Sequence, residues 1–150
     1  GGWDMHSGLV DGLKDALAEV DAAIAGFVGE LKAQGVFDSV VLTTSSDFGR
    51  TLSFNGKGTD HGWSGNHIVV GGGINGGQIY NDFLKTYELG GAYDAGRGRV
   101  IPEYPWESMY VPIAQWVGVD DVEGMFKNLG KFNRSHHIIS REALFKSEPQ

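Results

Sequence analysis

Leu9, Leu13, Leu17, Val20, Ile24, Phe27 and Leu31 step along the chain by three or four. This single apolar row commits the segment from Leu9 to Gln34 to an amphipathic helix. Ser7 is placed to cap its start, Asp11 lies in the first turn, and Gly35 follows the end, where a left-handed residue is favoured. Ala22, Gly26, Gly29 and Ala33 form a second row of small side chains. Glycine weakens a helix by about 1 kcal/mol relative to alanine. Two glycines in mid-helix therefore point to close packing on a sheet, with an exposed, glycine-tolerant face as the alternative.

The next run, "VFDSVVLTT" from Val36 to Thr44, is β-branched, lacks a helical period and reads as a buried strand. Helix, glycine turn and buried strand make one step of an α/β fold, a largely parallel sheet flanked by helices. "HIVVGGG" reads as a second short strand and "YNDFLKTYEL" as a short helix, while "GGAYDAGRGR" is a loop. Trp106 to Val117 is a further helix, in which Pro112 must be accommodated by a kink or restart. Val122 to Leu129 adds a turn or two, and the tail from Asn133 is polar, with His136 and His137 expected in solvent. There is no internal repeat.

With 150 residues, 41% hydrophobic and 21% charged, the chain is long enough for a single domain, 1–150, with its own core. Its net charge of −7 and scattered Lys and Arg argue against nucleic acid and anionic membranes as partners. No stretch approaches the ~20 apolar residues of a membrane span. The lack of cysteine excludes disulfides and thiolate-bound zinc. The opening "GGWDMHSGL" resembles neither a signal peptide nor a natural start, which leads us to expect the C-terminal part of a longer protein.

Chemistry concentrates in "SSDFGRTLSFNGKGTDHGWSGNH", where Asp47, Arg50, Asp60, His61 and His67 share a polar, glycine-rich segment between the two strands. Ligands of open α/β sheets bind beyond the carboxyl ends of strands. Asp47 lies there, and Asp4 and His6 sit just before the long helix, so the topology can bring both groups to one rim. Carboxylate oxygens with imidazole nitrogens suit a divalent ion, zinc first, with manganese, magnesium or calcium as alternatives. A plain solvated loop is the competing reading. Gly71, Gly73 and Gly76 match a dinucleotide-loop spacing, but no helix opens after them. Ser45 or Ser46 with His61 and Asp60 could form a triad, yet no nucleophile elbow is present.

"GGWDMHS", "TTSSDFGRTLSFNGKGTDHGWSGNH", "VGGGINGGQIY", "GRGRVIP" and "IAQWVGV…MFKNLGKF" together resemble the C-terminal part of a bacterial family catalogued as domain of unknown function 1501. The likeness spans almost the whole chain. It implies the final third of an alkaline phosphatase-like fold, in the superfamily of alkaline phosphatases and sulfatases, and export to the periplasm. It further implies two divalent ions. Asp4 with His6 resembles the aspartate–histidine group of one of them, Asp47 sits where an Asp-His pair is common, and His61, or less well His67, is similar to a late histidine ligand. Arg50 is the candidate for an anionic group, by a bidentate pair, or else a structural partner. The implied substrate is an anionic phosphate or sulfate ester, small or polymeric. Two departures stand out: Phe48 replaces the histidine of the Asp-His pair, and the Ser or Thr nucleophile has no counterpart here. The implied function is part of a metal-dependent ester hydrolase, inactive in isolation; the alternative is an exported, non-catalytic binding or structural module. Loss of upstream strands would favour a homodimer or association with an N-terminal portion.

Overall fold

The computed structural model describes residues 2–147. They fall into two compact units. The first contains the chain up to Phe37, with Thr44–Ile68 and Lys85–Pro102; the second contains Asp38–Thr43, Val69–Leu84 and the chain from Glu103.

In the first unit, helix α1 runs from Leu9 to Ala33, as the apolar row predicts. It ends in a Schellman arrangement: Gly35 at φ 70° donates to Lys32 O (3.1 Å) and Val36 donates to Leu31 O (3.0 Å). At the other end the cap is Gly8 in a left-handed conformation, not Ser7. Periodicity did not predict burial. No residue of α1 is buried, Leu17 and Phe27 are exposed, and a methyl group on Gly26 or Gly29 would meet nothing. The small-residue row therefore packs on no sheet. The unit's sheet is the hairpin of β2 (Gly49–Phe54) and β3 (Thr59–Gly62), in a segment read from sequence as loop.

In the second unit, β1 (Leu42–Thr43) pairs antiparallel with β4 (Val69–Val70). The expected α/β fold, with its largely parallel sheet and alkaline phosphatase-like architecture, is overturned. Among the described residues the sheets are two antiparallel two-stranded ladders. Parallel neighbours need a crossover of a dozen or more residues, usually a helix. The chain between β1 and β4 instead contains a hairpin, and the two strands run antiparallel. The "VFDSVVLTT" run divides into a 3₁₀ turn at Phe37–Ser39 and the two residues of β1, and none of it is fully buried.

Helix α2 spans Glu107–Trp116, close to the expected bounds. Pro112 has no N–H for the Ser108 carbonyl, and Ile139 N–H takes that acceptor at 3.3 Å. Val111 and Ala114 pack with Val122 of α3 (Val122–Met125), Phe126 and Leu129. The tail from Asn133 is not a polar appendage. It forms α4 (Arg134–His137) and α5 (Arg141–Leu144), and Leu144 and Phe145 join Ile74 in a second apolar cluster that also receives Val41 and Val69. His137 Nδ1 accepts Asn133 N–H at 3.1 Å, so this histidine serves the local fold. "YNDFLKTYEL" forms no helix; Asn81 at φ 68° is incompatible with one. No helix among the described residues is long and apolar enough to cross a membrane.

Candidate metal centre

The hairpin turns at Asn55. Its Oδ1 accepts the N–H groups of Lys57 (3.0 Å) and Gly58 (2.8 Å), while its Nδ2 reaches His6 O (3.3 Å) and Asp60 Oδ1 (3.1 Å). One amide thus closes the turn and ties the N-terminal segment to β3. Thr59 N–H donates to Met5 O at 3.3 Å, and Met5 is buried where its sulfur faces Gly12 of α1. Gly58 is required by this approach, since a Cβ there would lie 2.5 Å from Met5 O. Burying Met5 presents its neighbours Asp4 and His6 to the solvent side of the hairpin.

There they meet His61. Asp4 Oδ1 lies 3.0 Å from both His6 Nε2 and His61 Nε2, and the two ring nitrogens are 3.1 Å apart. Tetrahedral zinc with bonds of about 2.0–2.1 Å would space its ligand atoms by about 3.3 Å. The three donors therefore form one face of such a polyhedron, with little adjustment needed. His6 Nδ1 lies 3.2 Å from Asp60 Oδ1, the carboxylate–histidine relay that orients metal-binding imidazoles. With its proton on Nδ1, His6 turns the lone pair of Nε2 toward a carboxylate oxygen. That contact needs a proton or a cation between the two atoms. All three ligand side chains are about half exposed, so a ligand can reach them.

The supporting shell is specific. Arg50 lies opposite His61 in the hairpin register and donates to Asp4 Oδ1 (2.6 Å), Thr59 Oγ1 (3.1 Å) and Thr59 O (2.7 Å). Its guanidinium holds the Asp4 carboxyl below the usual aspartate range, with the two imidazoles acting the same way and partial desolvation opposing. Asp60 is also lowered, first by the Asn55 amide and then by His6. Phe48 stacks on the His61 ring at 3.9 Å and 14°. The residue that departs from the expected Asp-His pair thus fixes the plane of a candidate ligand. The register shifts between Arg50 and Phe54, and with that irregularity adjacent Asp60 and His61 both reach His6.

An open cleft of about 360 Å³ lies over the cluster, lined by His6, Thr51, Asp60, His61, Arg97 and Arg99. A second recess beside Leu52, Tyr87 and Leu89 holds about 10 Å³, no more than a single water needs. In the cleft, Arg97 Nη2 is 3.5 Å from Asp60 Oδ2. Arg97 also has φ 62°, which costs a non-glycine residue about 1–3 kcal/mol. An exposed ion pair is too weak to offset that cost.

Of the expected ligands, Asp4, His6 and His61 converge; Asp47 and His67 fall outside the group whose ligand atoms lie within 4.8 Å of one another. Convergence comes from docking of the N-terminal segment on the hairpin, not from the carboxyl ends of strands. The relay of Asp60, the Asn55 pivot and Arg97 escaped sequence reasoning. Asn55-Gly56 between β-compatible runs was a legible hairpin signal, and "GRGR" put two arginines in a glycine turn.

A family model described as "Protein of unknown function (DUF1501)" matches residues 1–102. The chain belongs to this family. The matched residues include every member of the cluster described above, from Asp4 to Arg99. The match ends before α2, so "IAQWVGV" and "MFKNLGKF" lie beyond it and the likeness covers less of the chain than expected. Comparison with curated proteins returns no match, and comparison with solved structures returns none.

Proposed function

We propose that the chain carries a divalent-metal centre, best suited to zinc, that binds an anionic phosphate or sulfate ester as part of a hydrolase-like protein. The observation that carries this reading is the Asp4–His6–His61 triangle backed by Asp60. A bound divalent ion would supply Lewis-acid polarisation of an ester oxygen. Asp4, His6 and His61 would hold the ion, Asp60 would keep His6 in the correct tautomer, and Arg50 would keep Asp4 ionised and aimed. Kinship in chemistry with alkaline phosphatases and sulfatases, a bacterial source and export to the periplasm belong to this proposal and rest on the sequence motifs.

A second reading, a binding module without chemistry, is favoured by the hydroxyl that lines the cleft. Thr51 Oγ1 is buried, donates to Ser53 O (3.0 Å) and accepts Asp60 N–H (3.1 Å), which leaves it poorly placed as a nucleophile. Equilibrium binding of nitrophenyl phosphate and nitrophenyl sulfate to metal-free and zinc-loaded chain, with nitrophenol release followed in parallel, tests both. Zinc-dependent binding supports the metal reading, and its absence overturns it. Release that disappears in His61→Ala assigns the chemistry to this chain, whereas binding without release favours the binding module.

A further inference from the structure

The turn that carries Arg97 is built with unusual care for an exposed loop. The Asp94 carboxylate accepts N–H bonds from Gly90 (2.8 Å), Gly96 (2.8 Å) and Gly98 (3.0 Å), clamping both sides of Arg97. Gly98 O accepts Leu52 N–H at 2.9 Å, which seats the turn on β2. A Cβ on Gly98 would lie 2.8 Å from the backbone nitrogen of Ser53, so only glycine permits this approach. Gly96, Arg97 and Gly98 all have positive φ, and the arginine alone of the three carries a side chain that disfavours it. Its side chain is 74% exposed and lines the cleft beside Arg99.

We infer that Arg97, with Arg99 beside it, is the anion-recognising element of the cleft and takes a tetrahedral oxyanion, phosphate or sulfate, against the metal centre. The inference rests on the metal reading above and names the residue that would select the charged group of its ligand. Three observations converge on it. Arg50, the arginine singled out in the sequence, already donates to Asp4 and Thr59. The contact of Arg97 with Asp60 is long and solvent-exposed, too weak to explain a strained backbone. Two arginines over one cleft also run against a chain of net charge −7, and a guanidinium fork matches the edge of an oxyanion.

The test is calorimetric titration of inorganic phosphate, then inorganic sulfate, into the metal-free and the zinc-loaded chain. Wild type is compared with Arg97→Gly, Arg97→Lys and Arg99→Met. Glycine suits the left-handed position, so Arg97→Gly should melt at or above the wild-type temperature and bind zinc about as well. Its phosphate affinity should nonetheless fall about tenfold or more, with Arg97→Lys intermediate and Arg99→Met less affected. A zinc titration on the same samples keeps the two ideas apart, since failure to bind zinc sinks the metal reading while phosphate binding to the metal-free chain still judges Arg97. Phosphate and sulfate affinities unchanged in Arg97→Gly would overturn the inference. So would a lower melting temperature with unchanged affinity, which would make Arg97 a structural residue, or absence of oxyanion binding to wild type in both states.

Discussion

Asp4, His6 and His61 stay half exposed and are held by directed bonds from Arg50, Asp60 and Asn55, whereas Leu129 and Leu144 are fully enclosed by apolar neighbours. In the first region, order is a matter of geometry, and each exposed polar bond contributes little on its own. In the second, order follows from volume and area removed from water. Ligands and pH should therefore act on the hairpin region, and packing defects on the helical clusters. The molecule keeps its adjustable groups where a ligand can reach them and its stability where none can.

The largest effect that would sharpen this contrast is Leu129→Ala. At 0% exposure, within the cluster of Val111, Val122 and Phe126, it should cost about 2–5 kcal/mol in urea unfolding. Zinc affinity under folding conditions should stay at the wild-type value, and a parallel loss of zinc binding would break the proposed division. Next comes Asp60→Asn, which keeps the shape of the side chain but weakens the hold on His6 Nδ1. It should lower zinc affinity by about 10- to 100-fold with little change in the urea midpoint. Unchanged zinc affinity would remove Asp60 from the supporting shell.

The smallest effect is acid loosening of the Asp94 turn. The N–H groups of Gly90, Gly96 and Gly98, helped by Arg99, hold the Asp94 carboxyl below its ordinary value of 3.8. A group depressed in the folded state stabilises it fully above its unfolded pKa and loses that contribution as pH falls through the folded value. Protection of the Gly96 and Gly98 amides, taken relative to their intrinsic exchange rates, should accordingly fall below about pH 4, ahead of protection in α2. An equal fall in Asp94→Asn would show that the carboxylate is not the cause.

Sequence made α1 and α2 legible because helical periodicity and caps are local properties. Burial depends on what else the chain supplies, so the row from Leu9 to Leu31 predicted a helix but not its half-exposed state. The β-branched run at Val36–Thr44 misled for the same reason, since propensity for extended backbone does not specify parallel or antiparallel partners. At the site, residue chemistry put Asp4, His6, Asp47, His61 and His67 among the candidates alike, and docking of the N-terminal segment brings only Asp4, His6 and His61 together. Asp60 looked interchangeable with its neighbours until the Asn55 turn fixed where its carboxylate points.

A metal centre made by Asp4, His6 and His61 would be read by competitive zinc titration against a chromophoric chelator. Wild type, His6→Ala, His61→Ala, Asp47→Asn and His67→Ala are compared after purification without chelators. A single zinc site per chain is expected, lost in His6→Ala and His61→Ala and retained in Asp47→Asn and His67→Ala. Zinc binding that survives both His6→Ala and His61→Ala, or that is absent from folded wild type, would contradict it.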